Sequence, residues 1–196
     1  MAPEDVVVKD KKALAAIQNT LSKSDRAFIK VGADGKIDKN LADSHTSKSD
    51  NFNSLKALVD DKSITVVSVT DKITFKSPEG RITTEKMGSI GHDFESKPGN
   101  DDESGHRGTT QLPDAGVPYQ SPDKNVNVVI NGALSGLGQA ETAAHELYGH
   151  DLLHTEGLPT GHDPVQGKNG NFIEGNKPLG QAIQKATIET DKNYGN

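Results

Sequence analysis

Three of the chain's seven histidines fall within ten residues, from His145 to His154, and a glutamate directly follows the first of them. In the pattern His-Glu-x-x-His, a helix carries two imidazoles one turn apart, so that both bind one Zn²⁺ while the glutamate reaches the metal-bound water. Here His145 and His150 are five residues apart, which is about 140° around an ideal helix. We therefore predict a widened, π-type turn near Gly149 that brings both imidazoles to one metal.

The run His145-Glu146-Leu147-Tyr148-Gly149-His150 resembles the lengthened zinc motif of dipeptidyl-peptidase III, a zincin-type metallopeptidase, and departs from it at the tyrosine. With Ala144 included, it is also similar to helices in zincin-like domains of bacterial secreted toxins. The first match covers fewer than ten residues. It implies that His145 and His150 are zinc ligands and that Glu146 is the general base.

A zinc site that performs hydrolysis needs a third protein ligand and an open position. His162 is our preferred third ligand, because the preceding Gly-Leu-Pro-Thr-Gly turn has a clear purpose if it returns this histidine to the metal. Metzincin-like sites are completed similarly, but they have a glycine where this chain has Leu153. Glu189 is the alternative, since thermolysin-like sites and dipeptidyl-peptidase III use a glutamate from a later helix.

Other histidines and tyrosines are weaker candidates for roles at this site. His154 is expected to have an outer role or to be solvated, and His92 and His106 are expected to be solvated loop residues. Oxyanion stabilisation requires a donor, for which Tyr148, Tyr194, His154 and Tyr119 all stay open. For Tyr148, packing beneath the site is the stronger interpretation.

Composition restricts the partners and the architecture. The 196 residues allow one domain with a core, which we assign to residues 1–196 with a long irregular segment at about 96–123. A net charge of -6 without a basic block argues against nucleic acid as a partner. The chain has no cysteine, and no apolar run long enough for membrane insertion. Its N-terminus does not resemble a signal peptide, so if the chain is exported, its signal lies elsewhere.

Periodicity and turn residues predict a series of helices and strands. These are a helix capped by Asp10, a hairpin through Asp34-Gly35, a helix over Phe52–Val59, a strand over Ser63–Thr70, a hairpin joining Ile73–Lys76 to Arg81–Thr84, a strand over Asn125–Asn131, a metal-binding helix from Gln139 to near Gly157, and a last helix capped by Asn176. The strand over Asn125–Asn131 is expected at a sheet edge, where an extended peptide would add.

We thus expect an α+β, zincin-like fold with a twisted, mostly antiparallel sheet, a metal-binding helix and a C-terminal helix. The expected activity is zinc-dependent peptide-bond hydrolysis, in which Glu146 takes a proton from the metal-bound water and delivers it to the leaving amine. The toxin resemblance implies a secreted or delivered effector that cleaves a protein substrate and has a cognate inhibitor or immunity protein. The alternative is a non-catalytic module, either a metal-binding domain or a zincin-shaped protein-binding domain, which would not need Glu146 as a base.

Overall fold

A computed structural model describes residues 5–87, 107–113, 120–166 and 172–195. The chain is mixed α+β, as predicted. Its strands are β1 (Asp5–Val8), β2 (Ile64–Thr70), β3 (Lys72–Lys76), β4 (Ile82–Lys86), β5 (Gly108–Gln111), β6 (Val126–Asn131), β7 (Pro164–Gln166) and β8 (Phe172–Glu174). Its α-helices are α1 (Lys11–Asn19), α2 (Lys23–Arg26), α3 (Lys39–Asp43), α4 (Asp50–Asp60), α5 (Gly136–Ala143), α6 (Leu152–Thr155) and α7 (Lys177–Asn193), and a π-helix (Ala144–Asp151) joins α5 to α6.

The largest sheet of the described residues has the strand order β1-β2-β6-β5. The pairs β1–β2 and β2–β6 are parallel, and β5 alone runs antiparallel to its neighbour. The prediction of a mostly antiparallel sheet is therefore wrong for this sheet. The residues from Ile64 to Thr70 lack a strict polar–apolar alternation and bury Val66 and Val67 as neighbours, which is typical of a strand covered on both faces.

The edge of this sheet is also not where the sequence placed it. β6 lies between β2 and β5, so the prediction that the strand at Asn125–Asn131 forms the edge is wrong. β5 forms the edge beside β6, while β1 forms the other edge of the described sheet. β5 lies inside the segment predicted to be irregular. This strand is only four residues long, Gly-Thr-Thr-Gln, and contains no large apolar side chain that would reveal it. The rest of the predicted irregular segment lies partly outside the described residues.

Of the two predicted hairpins, one forms as expected and the other does not. β3 and β4 pair in antiparallel register, as predicted. The turn at Gly35 is present, with φ of 81° at this glycine. Its flanks do not form strands within the described residues, because Val31 and Ile37 make one isolated bridge while Lys36 bridges to Val7 of β1 instead.

Helix starts agree with the sequence signals. The side chain of Asp10 accepts a hydrogen bond from the Ala13 backbone N–H at 2.8 Å and so begins α1. Asn176 caps α7 in the same way, and Pro178 lies in the first turn of that helix. The predicted second helix is α4, and it begins after Ser49.

The π-helix packs on one face of the large sheet. Val6, Val8, Val67, Val128 and Ile130 of the sheet share a core with side chains of α1, α4, α5 and the π-helix. Burying such side chains contributes roughly 1.5–3 kcal/mol each. The π-helix is thereby fixed against β6 and beside the edge strand β5. No helix in the described ranges has the length and apolar content that would let it cross a membrane.

The β3–β4 hairpin covers part of the opposite face of this sheet. Val129 of β6 points to that face and forms a second, smaller core with Ile73, Phe75 and Met87. Gln111 of β5 is buried there and donates a hydrogen bond to the Thr74 carbonyl at 3.1 Å. The edge strand β5 therefore lies between the β3–β4 hairpin on one face and the π-helix on the other.

Candidate metal centre

The helix that carries the histidine motif changes its hydrogen-bonding pattern at Ala144. From Ala144 to Asp151 it is a π-helix, and it returns to α-helical geometry at Leu152. A π-helix bonds residue i to residue i+5, so residues five apart come onto the same face. The predicted widening is confirmed, and it extends over eight residues rather than a single turn.

Gly149 has a packing role in this arrangement. A Cβ at this position would lie 2.6 Å from Cγ1 of Ile183 and 3.7 Å from Cδ1 of Leu179, both on α7. The absence of a side chain therefore allows α7 to contact the π-helix closely. The glycine does not have a positive φ, so close approach rather than unusual backbone geometry explains why it is there.

The imidazoles of His145, His150 and His162 converge. Each ring offers one nitrogen such that the three nitrogens lie within 4.8 Å of one another. Nε2 of His145 is 3.1 Å from Nε2 of His150, close to the ~3.3 Å expected for two nitrogens bound at about 2.0–2.1 Å to one tetrahedral zinc. The three histidines therefore lie close enough to bind one metal ion.

In His150 and His162, a hydrogen bond at Nδ1 leaves Nε2 as the nitrogen that can face the cluster. Nδ1 of His150 donates to the carbonyl oxygen of Thr160 at 2.7 Å. Nδ1 of His162 lies 2.6 Å from Oε2 of Glu174 and donates to it. Both interactions leave Nε2 with a lone pair for a metal, and such outer partners normally orient metal-binding histidines. The donor set thus fits a divalent transition metal; imidazole nitrogens alone do not distinguish zinc from copper, iron or nickel.

The turn after α6 returns His162 to the other two histidines. The helix ends at Thr155; just beyond it Gly157 has φ of 69°, and the Leu158 N–H bonds back to the Leu153 carbonyl at 2.9 Å. Beyond it, Asn176 Nδ2 donates to the carbonyls of Pro159 and Gly161, each at 2.9 Å. The turn is thereby tied to the beginning of α7.

Glu174 connects His162 to the same helix. Besides His162, its carboxylate accepts the backbone N–H groups of Asp163 and Asn176, both at 2.8 Å. These donors hold the pKa of Glu174 below its usual range, although partial burial opposes the shift. Sequence reasoning missed Glu174, because a glutamate at the end of a three-residue strand is not distinctive until its partner is known.

Glu189, the alternative third ligand, is engaged elsewhere. Its carboxylate accepts hydrogen bonds from the hydroxyl of Ser49 and from the backbone N–H of Asn51, the latter at 3.0 Å. Both donors lie at the N-terminus of α4, where a negative charge is stabilised by the helix dipole. The structure therefore gives Glu189 a capping role and does not place it with the three histidines.

Glu146 follows His145 on the π-helix, and its side chain is largely buried, with 7% exposed. The hydroxyl of Thr110 lies 2.8 Å from Oε2 of Glu146 and 3.1 Å from the Glu146 carbonyl oxygen. Thr110 belongs to the edge strand β5, so this strand contacts the expected base directly. Sequence reasoning also missed Thr110, since β5 itself was not predicted.

Comparisons with protein families, with curated proteins and with solved structures found no match for this chain.

The remaining predicted site residues lie outside the histidine cluster or outside the described residues. Tyr148 is buried, its hydroxyl is 2.9 Å from that of Thr20, and burial raises its pKa above the usual range. Tyr194 lies against Gly136 at the start of α5, and His154 on α6 is not one of the clustered histidines. The predictions for Tyr119, His92 and His106 concern residues outside the described ranges.

A buried carboxyl group lies directly after the second histidine. Oδ2 of Asp151 accepts a hydrogen bond from the Thr65 hydroxyl of β2 at 2.7 Å, and Oδ1 has no partner among the described residues. Burial raises the pKa of Asp151 to about 7, while the Thr65 bond opposes this shift. The side chain thus faces the sheet and anchors the end of the π-helix there.

Proposed function

We propose that this chain is a zinc-dependent metallopeptidase of zincin-like organisation. One observation carries the proposal: three imidazoles converge while Glu146, next to the first of them, is buried and hydrogen-bonded. A purely structural zinc site is usually closed by four protein ligands, whereas three ligands leave the open position that hydrolysis needs. The motif resemblance, which rests on His145, Glu146 and His150, supports the same activity.

In this proposal His145, His150 and His162 hold the metal through Nε2. When bound, Zn²⁺ supplies a Lewis acid that polarises the scissile carbonyl and lowers the pKa of a bound water towards 7. Glu146 accepts the proton of the attacking water and passes it to the leaving amine. Its low exposure keeps competing bulk water away from the carboxylate.

The edge strand supports a peptide as the substrate. Among the described strands, β5 pairs with β6 on one side and has no strand partner on the other. An extended peptide would hydrogen-bond to such an edge, and Thr110 would place this edge next to Glu146. The site of peptide addition is thus moved from β6, where the sequence placed it, to β5.

The similarity to toxin-associated helices supports a narrower proposal. The chain would act as a secreted or delivered effector on a protein of a target cell, and a cognate inhibitor or immunity protein would restrain it in the producing cell. The acidic net charge of -6 favours a protein substrate over nucleic acid.

Metal content and proteolysis test the proposal together. The natural chain, Glu146→Gln and the exposed control Glu156→Gln are purified, assayed for bound zinc, and incubated with casein and with a mixed peptide library. We expect zinc in all three and cleavage by the natural chain and the control alone. A natural chain that takes up no zinc would refute the metal site. Equal cleavage by Glu146→Gln would refute the general base, and zinc binding without cleavage of any peptide would favour the non-catalytic alternative.

A further inference from the structure

Two residues of the edge strand β5, Gly108 and Thr110, face the π-helix. Gly108 and Thr110 are two apart, so they point to the same face of the strand. A Cβ at Gly108 would collide with the side chain of Thr142 and would lie 3.3 Å from Cγ of Glu146. The glycine therefore lets β5 approach the helix. As a result the Thr110 hydroxyl reaches Oε2 of Glu146 at 2.8 Å, which is shorter than its 3.1 Å distance to the Glu146 carbonyl oxygen.

This hydrogen bond restricts a side chain that is otherwise flexible. Ordering a glutamate side chain costs up to roughly 1.5–2 kcal/mol of rotamer entropy, and a base that is already ordered does not incur this cost during reaction. One donor on Oε2 also leaves Oε1 to accept a proton. Thr110 is a neutral donor, and the guanidinium of Arg107, the residue that precedes β5, is bound to Glu141 at 2.8 Å. A guanidinium on Glu146 would make it a weaker base.

We infer that Thr110 is a positioning residue, whose hydroxyl holds Oε2 of Glu146 so that Oε1 remains the proton acceptor. The inference rests on the proposed function for its catalytic consequence, but the position of the Glu146 side chain can be measured without any substrate. It also assigns the edge strand a second role besides pairing with a peptide.

Three substitutions test this role. Thr110→Val keeps the shape and removes the hydroxyl, Thr110→Ser keeps the hydroxyl, and Thr84→Val, at an exposed position of β4, is the control. We expect Thr110→Val to lower kcat about 10–100-fold with KM changed less than about 3-fold, because the loss is part of the 10²–10⁴-fold contribution of a general base. Thr110→Ser should recover most of kcat, and the control should match the natural chain. A loss that serine does not restore would overturn the inference.

A readout on the metal-free protein separates this inference from the proposed function. NMR couplings and shifts of the Glu146 side chain should report one rotamer in the natural chain and in Thr110→Ser, and rotamer averaging in Thr110→Val. Thr110→Ala replaces valine if that variant does not fold. An unchanged single rotamer without the hydroxyl would overturn the positioning role, even if the enzyme is active. Averaging in the valine variant would support it, even if no substrate is ever cleaved.

Discussion

Nε2 of His145 and Nε2 of His150 are 3.1 Å apart although five residues separate the two histidines in the chain. In a regular α-helix these rings would diverge by about 140°. The π-helix from Ala144 to Asp151 removes this divergence. The extra residue in the motif is thus accommodated by the helix, and a lengthened motif still brings two imidazoles close enough to bind one metal ion.

Gly149→Ala should disturb this pair through α7. An alanine Cβ would lie 2.6 Å from Cγ1 of Ile183, so one helix must move. We expect the free energy of unfolding to fall by about 1–3 kcal/mol and zinc affinity to fall with it. Gly161→Ala is the control, since a Cβ there has open space. Urea denaturation and zinc titration give both quantities; equal stability of the two variants would contradict the packing role.

His162→Ala and Glu189→Ala should separate metal binding from stability. Loss of His162 removes one of three ligands, so we expect zinc affinity to fall by at least about 100-fold. Loss of Glu189 removes the acceptor for Ser49 and Asn51 at the start of α4 and should cost about 0.3–2 kcal/mol of unfolding free energy while zinc affinity is unchanged. Competition titration with a chromophoric chelator measures the affinity. Retention of zinc by His162→Ala at the affinity of the natural chain would refute His162 as a ligand.

Glu174→Ala should weaken metal binding although this side chain does not touch the metal in our proposal. It removes the acceptor for Nδ1 of His162, and loss of such an outer partner typically costs 10–100-fold in metal affinity. Glu174→Gln should retain part of the affinity, because its amide oxygen can still accept from Nδ1. The exposed Glu156→Ala serves as the control, and an affinity equal to that of this control would argue against the orienting role.

Asp151 should make the stability of the metal-free protein depend on pH. Its pKa is raised from 3.8 to about 7 by burial, so the folded state holds this proton more tightly than the unfolded state does. The associated stability is fully present below about pH 4 and is lost as pH rises towards 7. Asp151→Asn should therefore gain roughly 1–4 kcal/mol relative to the natural chain between pH 5 and pH 8. Urea denaturation in the presence of EDTA measures this difference, and parallel pH profiles of the two proteins would contradict it.

Local features of this chain could be predicted because each depends on a pattern of residues that are close together in the sequence. The caps at Asp10 and Asn176, the β3–β4 hairpin and the widening near Gly149 each depend on residues a few positions apart. The return of His162 could also be inferred, since Gly157 and Pro159 must end the helix.

The partners of the site residues could not be predicted in the same way. Thr110 contacts Glu146 across 36 residues, and Glu174 contacts His162 across 12 residues. The residues next to each partner in the sequence contain no pattern that predicts these contacts. The parallel pairing of β1, β2 and β6 also depends on long crossovers. A strand such as β2 shows its β-branched composition but not the direction of its neighbours.

The position of His162 depends on contacts with the beginning of α7, so the histidine cluster can form only after α7 has folded. Glu174 and Asn176 attach the third histidine to the start of this helix, and Gly149 lets the same helix pack on the π-helix. During synthesis, the residues from His145 to His150 leave the ribosome before α7 does. We therefore expect the nascent chain to hold metal weakly until Lys177–Asn193 has emerged and folded back, which would delay any activity until translation of this region is nearly complete.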